Sequence, residues 1–126
     1  MIETDIFAML GGNASITSLV PSSQIVPVAL PPGTLLPAIA YSVGSKVPLN
    51  GMSLDAQHSS RMRLTLDVFA TVYLTALNIA TAIHELLDGY TDCNIQLVEP
   101  LNEQDFYSSD AQVFRRSLDF YIFFNE

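Results

Sequence analysis

Alternation of apolar and polar positions is cleanest between Arg61 and Phe69. Met62, Leu64, Leu66 and Val68 fall on one side there, and Arg61, Arg63, Thr65 and Asp67 on the other. This predicts a strand with one face on a core and the other on water or a partner. The same period runs from Val113 to Phe124, with Arg116, Leu118, Phe120, Ile122 and Phe124 opposite Arg115, Ser117, Asp119, Tyr121 and Phe123. That second set turns aromatic toward its end, which points to cross-strand packing or an interface. Helical spacing replaces alternation in two places. Ile2, Ile6, Met9 and Leu10 predict a first helix, with Glu3 and Asp5 near the positive end of its dipole and Gly11 and Gly12 as its stop. Asn13 can cap a further short turn from Ala14 to Leu19. From Thr71 to Leu87 the stripe Val72, Ala76, Ile79, Ala80, Ile83, Leu86 and Leu87 predicts the main helix. Asn78, Thr81, Glu85 and Asp88 lie opposite, and Gly89 ends it.

The remaining segments are read from punctuation. Gln24 to Leu30 is extended, with Pro27 marking an edge strand or a bulge. Pro31 to Thr34 is a turn before a strand from Pro37 to Val43. Gly44 to Ser60 reads as a long, mobile loop. Asn94 to Val98 is a strand ended by Pro100, and Asn102 to Asp110 is a polar, acidic stretch containing Phe106 and Tyr107. The order is helix, strands, helix, strands. It implies a single α+β domain over residues 1–126, a mostly antiparallel β-sheet covered by two main helices.

Charge changes this picture. Residues 6–45 hold no charged side chain, and the whole chain is 14% charged and 49% hydrophobic. Soluble domains run near about 25% charged. A short chain exposes much of its surface, so this one is expected to be a subunit completed by neighbours. A membrane span is excluded because glycines and prolines interrupt every run approaching about 20 apolar residues. The acidic start, Glu3 and Asp5, is unlike a signal peptide, so the chain is expected to be soluble and cytoplasmic. A net charge of −8 argues against a nucleic-acid grip. An acidic surface suits solubility, or a channel wall that DNA must pass without sticking.

Candidate chemistry is sparse. Cys93 stands alone and reads as a small core residue. His58 and His84 lack neighbours at metal-ligand spacing. Gly11, Gly12 and Asn13 lack the lysine of a phosphate loop. Glu99, Glu103, Asp105 and Asp110 read as a solvated acidic loop in preference to a calcium site. No catalytic residue, metal or cofactor is expected. Arg61 and Arg63, like Arg115 and Arg116, suit cross-strand pairing with Asp67 or Asp119, or a subunit contact. The candidate interface is Arg61, Arg63, Phe106, Tyr107, Arg115, Tyr121 and Phe123.

Several segments in sequence resemble the tail-completion, or tail-terminator, proteins of long-tailed bacteriophages and prophages. They are the Ile2–Leu10 helix, Leu30–Gly33, Leu36–Tyr41, Leu49–Gly51, Arg61–Ala70, the Tyr73–Leu87 helix and Phe114–Phe120. The resemblance implies a structural subunit without catalytic residues. Its copies would form a homo-oligomeric ring, as a rule a hexamer, at the head-proximal end of the tail tube. That ring would stop tube polymerisation and dock the head connector or head-completion protein. DNA would meet it only in passage through the lumen. Assembly would take place in the host cytoplasm, and the protein would end in the virion tail. Two other readings stay open: another ring-forming neck protein, and a cytosolic small-ligand-binding α+β domain.

Overall fold

The computed structural model describes residues 2–48, 59–92 and 94–125. His58, Cys93 and most of the segment read as a mobile loop therefore lie outside the described residues. The chain runs α1 (Ile2–Gly11), α2 (Ala14–Thr17), a 3-10 turn (Ser22–Gln24), β1 (Ile25–Pro27), β2 (Ala38–Pro48), β3 (Ser59–Ala70), α3 (Tyr73–Leu87), β4 (Ile95–Ser108) and β5 (Val113–Asn125). The five strands form one sheet in the order β1-β2-β3-β5-β4. Only β1 and β2 run parallel; the other neighbours are antiparallel. The fold is α+β.

The alternation in β3 and β5 becomes one wall of the core because the register sets like against like. Leu64 stands opposite Phe120, Leu66 opposite Leu118 and Met62 opposite Ile122, all buried. The helices close this wall. Ala76, Ile79, Ala80, Ile83 and Leu87 of α3 are buried at helical spacing, and Ile2, Ile6 and Leu10 of α1 join the same core. The alanines at 76 and 80 let the α3 backbone lie close to the strands. Each large side chain enclosed in this way contributes roughly 1.5–3 kcal/mol. Val72 departs from the expected stripe. It is the extended residue before α3 and is 55% exposed, because the helix begins only after it.

Three expected helix signals are seen at atomic level. Asn13 accepts a hydrogen bond from the Ile16 N–H at 3.0 Å, capping α2. Gly12 donates to the Ala8 carbonyl, and a Cβ at position 12 would stand 2.8 Å from that oxygen, so a side chain would break the turn. Gly89 follows α3 at φ 70°, where glycine is favoured.

Two expectations are corrected. The Gly44–Ser60 loop is shorter than its composition implies. Ser45 pairs with Arg63 and Pro48 with Ser60, across a register shift after Val43. Cross-strand partners thus hold residues of weak intrinsic strand preference. Pro100 does not end its strand, and the stretch after it is not a loop. β4 continues to Ser108 as an edge strand, with a register shift between Pro100 and Asn102. An edge with a bulge is where a residue lacking an N–H fits a sheet.

Candidate interaction surface

The core takes one face of the sheet, and the alternate residues of β3, β4 and β5 form the other. On it Arg61 stands opposite Phe123, Arg63 opposite Tyr121, Thr65 opposite Asp119 and Phe69 opposite Arg115. β4 adds Leu97, Glu99 and Phe106, opposite Phe123, Tyr121 and Arg115. The β3 and β5 positions other than Arg63 are half-buried, and no described helix packs on them. Period two therefore gathers Arg61, Arg63, Phe106, Arg115, Tyr121 and Phe123 on one open surface. Tyr107 is not with them. It lies one residue out of phase and meets the Phe114 ring at a tilt, centroids 4.7 Å apart, and Phe114 in turn meets Tyr73 at 5.5 Å.

The cations on this face are held in three ways. Arg61 lies over the Tyr121 ring at 4.5 Å. Arg63 donates to Asp119 at 2.7 Å, and the Thr65 hydroxyl donates to the other Asp119 oxygen, also at 2.7 Å. Burial pushes the Asp119 carboxyl up, but those two donors outweigh it and its pKa falls below the ordinary value. Arg115 lies over Phe106 at 4.3 Å, and its Nε is 3.9 Å from Asp67 Oδ1. Of the expected pairings with Asp67 and Asp119, the hydrogen-bonded one is Arg63 with Asp119; Arg115 is only near Asp67, Arg61 lies on Tyr121, and Arg116 points to the core side.

A second cluster was not legible in the sequence. On the core side, beside α3, Arg116 donates to Asp105 at 2.7 and 2.9 Å and also pairs with Glu103. Glu103 meets His84, and the Tyr73 hydroxyl donates to Asp105 at 2.6 Å. Both ends of α3 are thereby tied to β4. Glu103 and Asp105 are not a solvated acidic loop; they are every-other-residue positions of the edge strand. That alternation was the available signal, hidden because Pro100 seemed to stop the strand. Among the described residues no group of three His, Cys, Asp or Glu is arranged to hold a metal ion. No described helix is long and apolar enough to cross a membrane.

Burial raises the Glu103 carboxyl, yet His84 and Arg116 lower it further, for a net depression. Glu3 is also depressed, chiefly by Lys46, and Asp92 by the Ile95 and Asn94 N–H groups against the effect of burial. A depressed folded pKa adds stability above the unfolded value and loses it as pH falls through the folded one. Thermal unfolding is therefore expected to be flat from about pH 7 to 5 and to fall below about pH 4. Glu103→Gln should flatten that acid limb. An unchanged slope in this variant would show that the Glu103 pairs are not formed in solution.

Fold and surface together define a small acidic two-layer α+β protein whose sheet is left open on one side, with stacked and paired arginines across it. The family model for tail completion protein gp17 matches residues 4–125, and the chain belongs to that family. It is a structural protein of a bacteriophage tail, not an enzyme. Among solved structures, one match is a chain from the "virion of native gene transfer agent (GTA) particle". It shares 18% identity at a TM-score of 0.69, over 96% of this chain and 92% of that one. This likeness concerns the fold. Among curated proteins no sequence matches.

Proposed function

We propose that the chain closes the head-proximal end of the tail tube as a homo-oligomeric ring, a hexamer. The ring stops tube polymerisation, presents a docking surface to the head connector and lets DNA pass through its lumen. Its partners are other copies of itself, the tail tube protein and the head connector or head-completion protein, and it assembles in the host cytoplasm. The observation that carries this reading is the open sheet face. A closed ring of identical subunits needs two different, complementary patches on each copy. Arg61, Arg63, Phe106, Arg115, Tyr121 and Phe123 supply one whose residue types are favoured at interface cores. Tyr107 joins from the rim through Phe114. Family membership and the likeness to a chain of a phage-like particle support the same reading.

Light scattering after size exclusion, across a concentration series and with or without purified tail tubes, tests it. A species of six copies of the 13.8 kDa chain is expected, either free or on the tubes. Arg61→Glu with Tyr121→Ala should shift it toward monomer. A wild-type chain that stays monomeric under every condition sinks the proposal.

A further inference from the structure

On the layer opposite the open sheet face, α3 turns one stripe of side chains to solvent. Leu74, Asn78, Thr81, Glu85 and Asp88 recur there at helical spacing, and all are exposed. Leu74 leads the stripe from the first turn, 63% exposed. Glu85 and Asp88 close it, and no described residue pairs with either carboxylate. They stand at the negative end of the helix dipole, where anions are disfavoured. His84, the basic residue of that last turn, is taken by Glu103. Within one chain these two charges are uncompensated and the leucine is left in water.

The open face offers the complement at the matching distance. Its Arg61 lies over the Tyr121 ring and has no carboxylate within hydrogen-bond range among the described residues. Arg63 on the same face is held by Asp119, and Arg115 lies beside Asp67. At the far end from Arg61 a cleft of 420 Å³ opens between residues 30–36 and the β4–β5 hairpin. Leu30, Leu36, Phe69, Phe106 and Val113 form its apolar walls. The Arg61 guanidinium rests at Tyr121, which stands opposite Arg63, six residues along β3 from Phe69. That separation is about 20 Å at about 3.3 Å per residue. Leu74 and Asp88 are fourteen residues apart, about 21 Å along a helix axis at about 1.5 Å per residue.

We infer that α3 of one copy lies on the open sheet face of the next, with Leu74 in the cleft and Glu85 and Asp88 on Arg61. Asn78 and Thr81 then cross the polar middle of the face, at Thr65 and Asp119. The stripe and the face belong to opposite layers of the chain, so each copy gives one and receives the other. This is the heterologous contact that a ring requires. It rests on the ring proposal and names the second of the two patches.

The test is a charge swap read by light scattering after size exclusion, free and on tail tubes. Arg61→Asp reverses the face, and Glu85→Arg with Asp88→Arg reverses the helix. Each variant should weaken association between copies at least about tenfold. Mixing the two variant chains should restore assembly, because each then meets an opposite charge on the other. Recovery in the mixture also shows that both variants are folded. Leu74→Asp alters a position exposed in the free chain, and should weaken assembly without lowering the unfolding temperature. Assembly indifferent to these changes, or a loss that mixing does not recover, overturns the inference. Rings that persist in all three variants remove this joint and leave the ring proposal standing. Dimers or open rows of copies that dissociate in either charge variant and return on mixing keep the joint and overturn the ring.

Discussion

Replacing Phe120 by alanine is expected to cost about 3–5 kcal/mol of unfolding free energy. Phe120 is 2% exposed, stands opposite Leu64 on the core face, and meets the His84 ring of α3 with centroids 5.7 Å apart. Its removal strips contacts from strand neighbours and from the helix layer at once. The backbone ladder on both sides of β5 limits how far the cavity can collapse. A chain of this size has total stability of roughly 5–15 kcal/mol, so the variant should be near the edge of folding at ambient temperature. Urea unfolding of both proteins measures the difference. A loss below about 1 kcal/mol would mean that α3 does not close on the sheet as described.

Arg116→Leu should have the second-largest effect, about 2 kcal/mol at neutral pH. Arg116 holds two carboxylates, Glu103 and Asp105, on the edge strand beside α3. Without it the two carboxylates lose their shared cation and keep only His84 beside Glu103 and the Tyr73 hydroxyl on Asp105. A fully buried pair broken in this way costs about 3–5 kcal/mol. Here the side chains of Arg116, Glu103 and Asp105 keep 18%, 28% and 42% of their exposure, so water recovers part of that. Burial tends to lower the Arg116 pKa and the two carboxylates raise it, with a net rise, so the cation stays charged across the accessible pH range. The pH dependence of the variant then identifies the cause. Its deficit against wild type should shrink as pH falls below about 4 and the carboxylates become neutral. A deficit that is constant with pH would point to lost packing of the arginine stem instead.

Phe120 is legible as a core residue from the sequence, because alternation over twelve residues assigns each side chain to a face. The same holds for Leu64 in β3 and for Ile79 and Ile83 in α3. Most of the open face was legible for the same reason. Once β3 and β5 were strands, Arg61, Arg63, Arg115, Tyr121 and Phe123 had to lie opposite the core. Arg116 was visible as a core-side cation, but its partners were not. They come from a strand whose continuation past Pro100 is decided by the ladder with β5.

Local periods and stops are legible in the order of residues alone: two helices with their apolar stripes, two alternating strands, and caps at Asn13 and Gly89. These follow from backbone geometry that repeats every two or 3.6 residues, and they need no knowledge of neighbours. The tertiary structure alone decided the strand order, the extension of β2 and β4 through residues of poor strand preference, and the placing of Tyr107 away from the arginine face. It also decided the ties from α3 to the edge strand and the cleft around Arg115. Each of these depends on pairs far apart in the chain, such as Tyr73 with Asp105 or Phe69 with Arg115. Strand preference measures how a side chain fits its cross-strand neighbours, and those neighbours exist only once the sheet has formed.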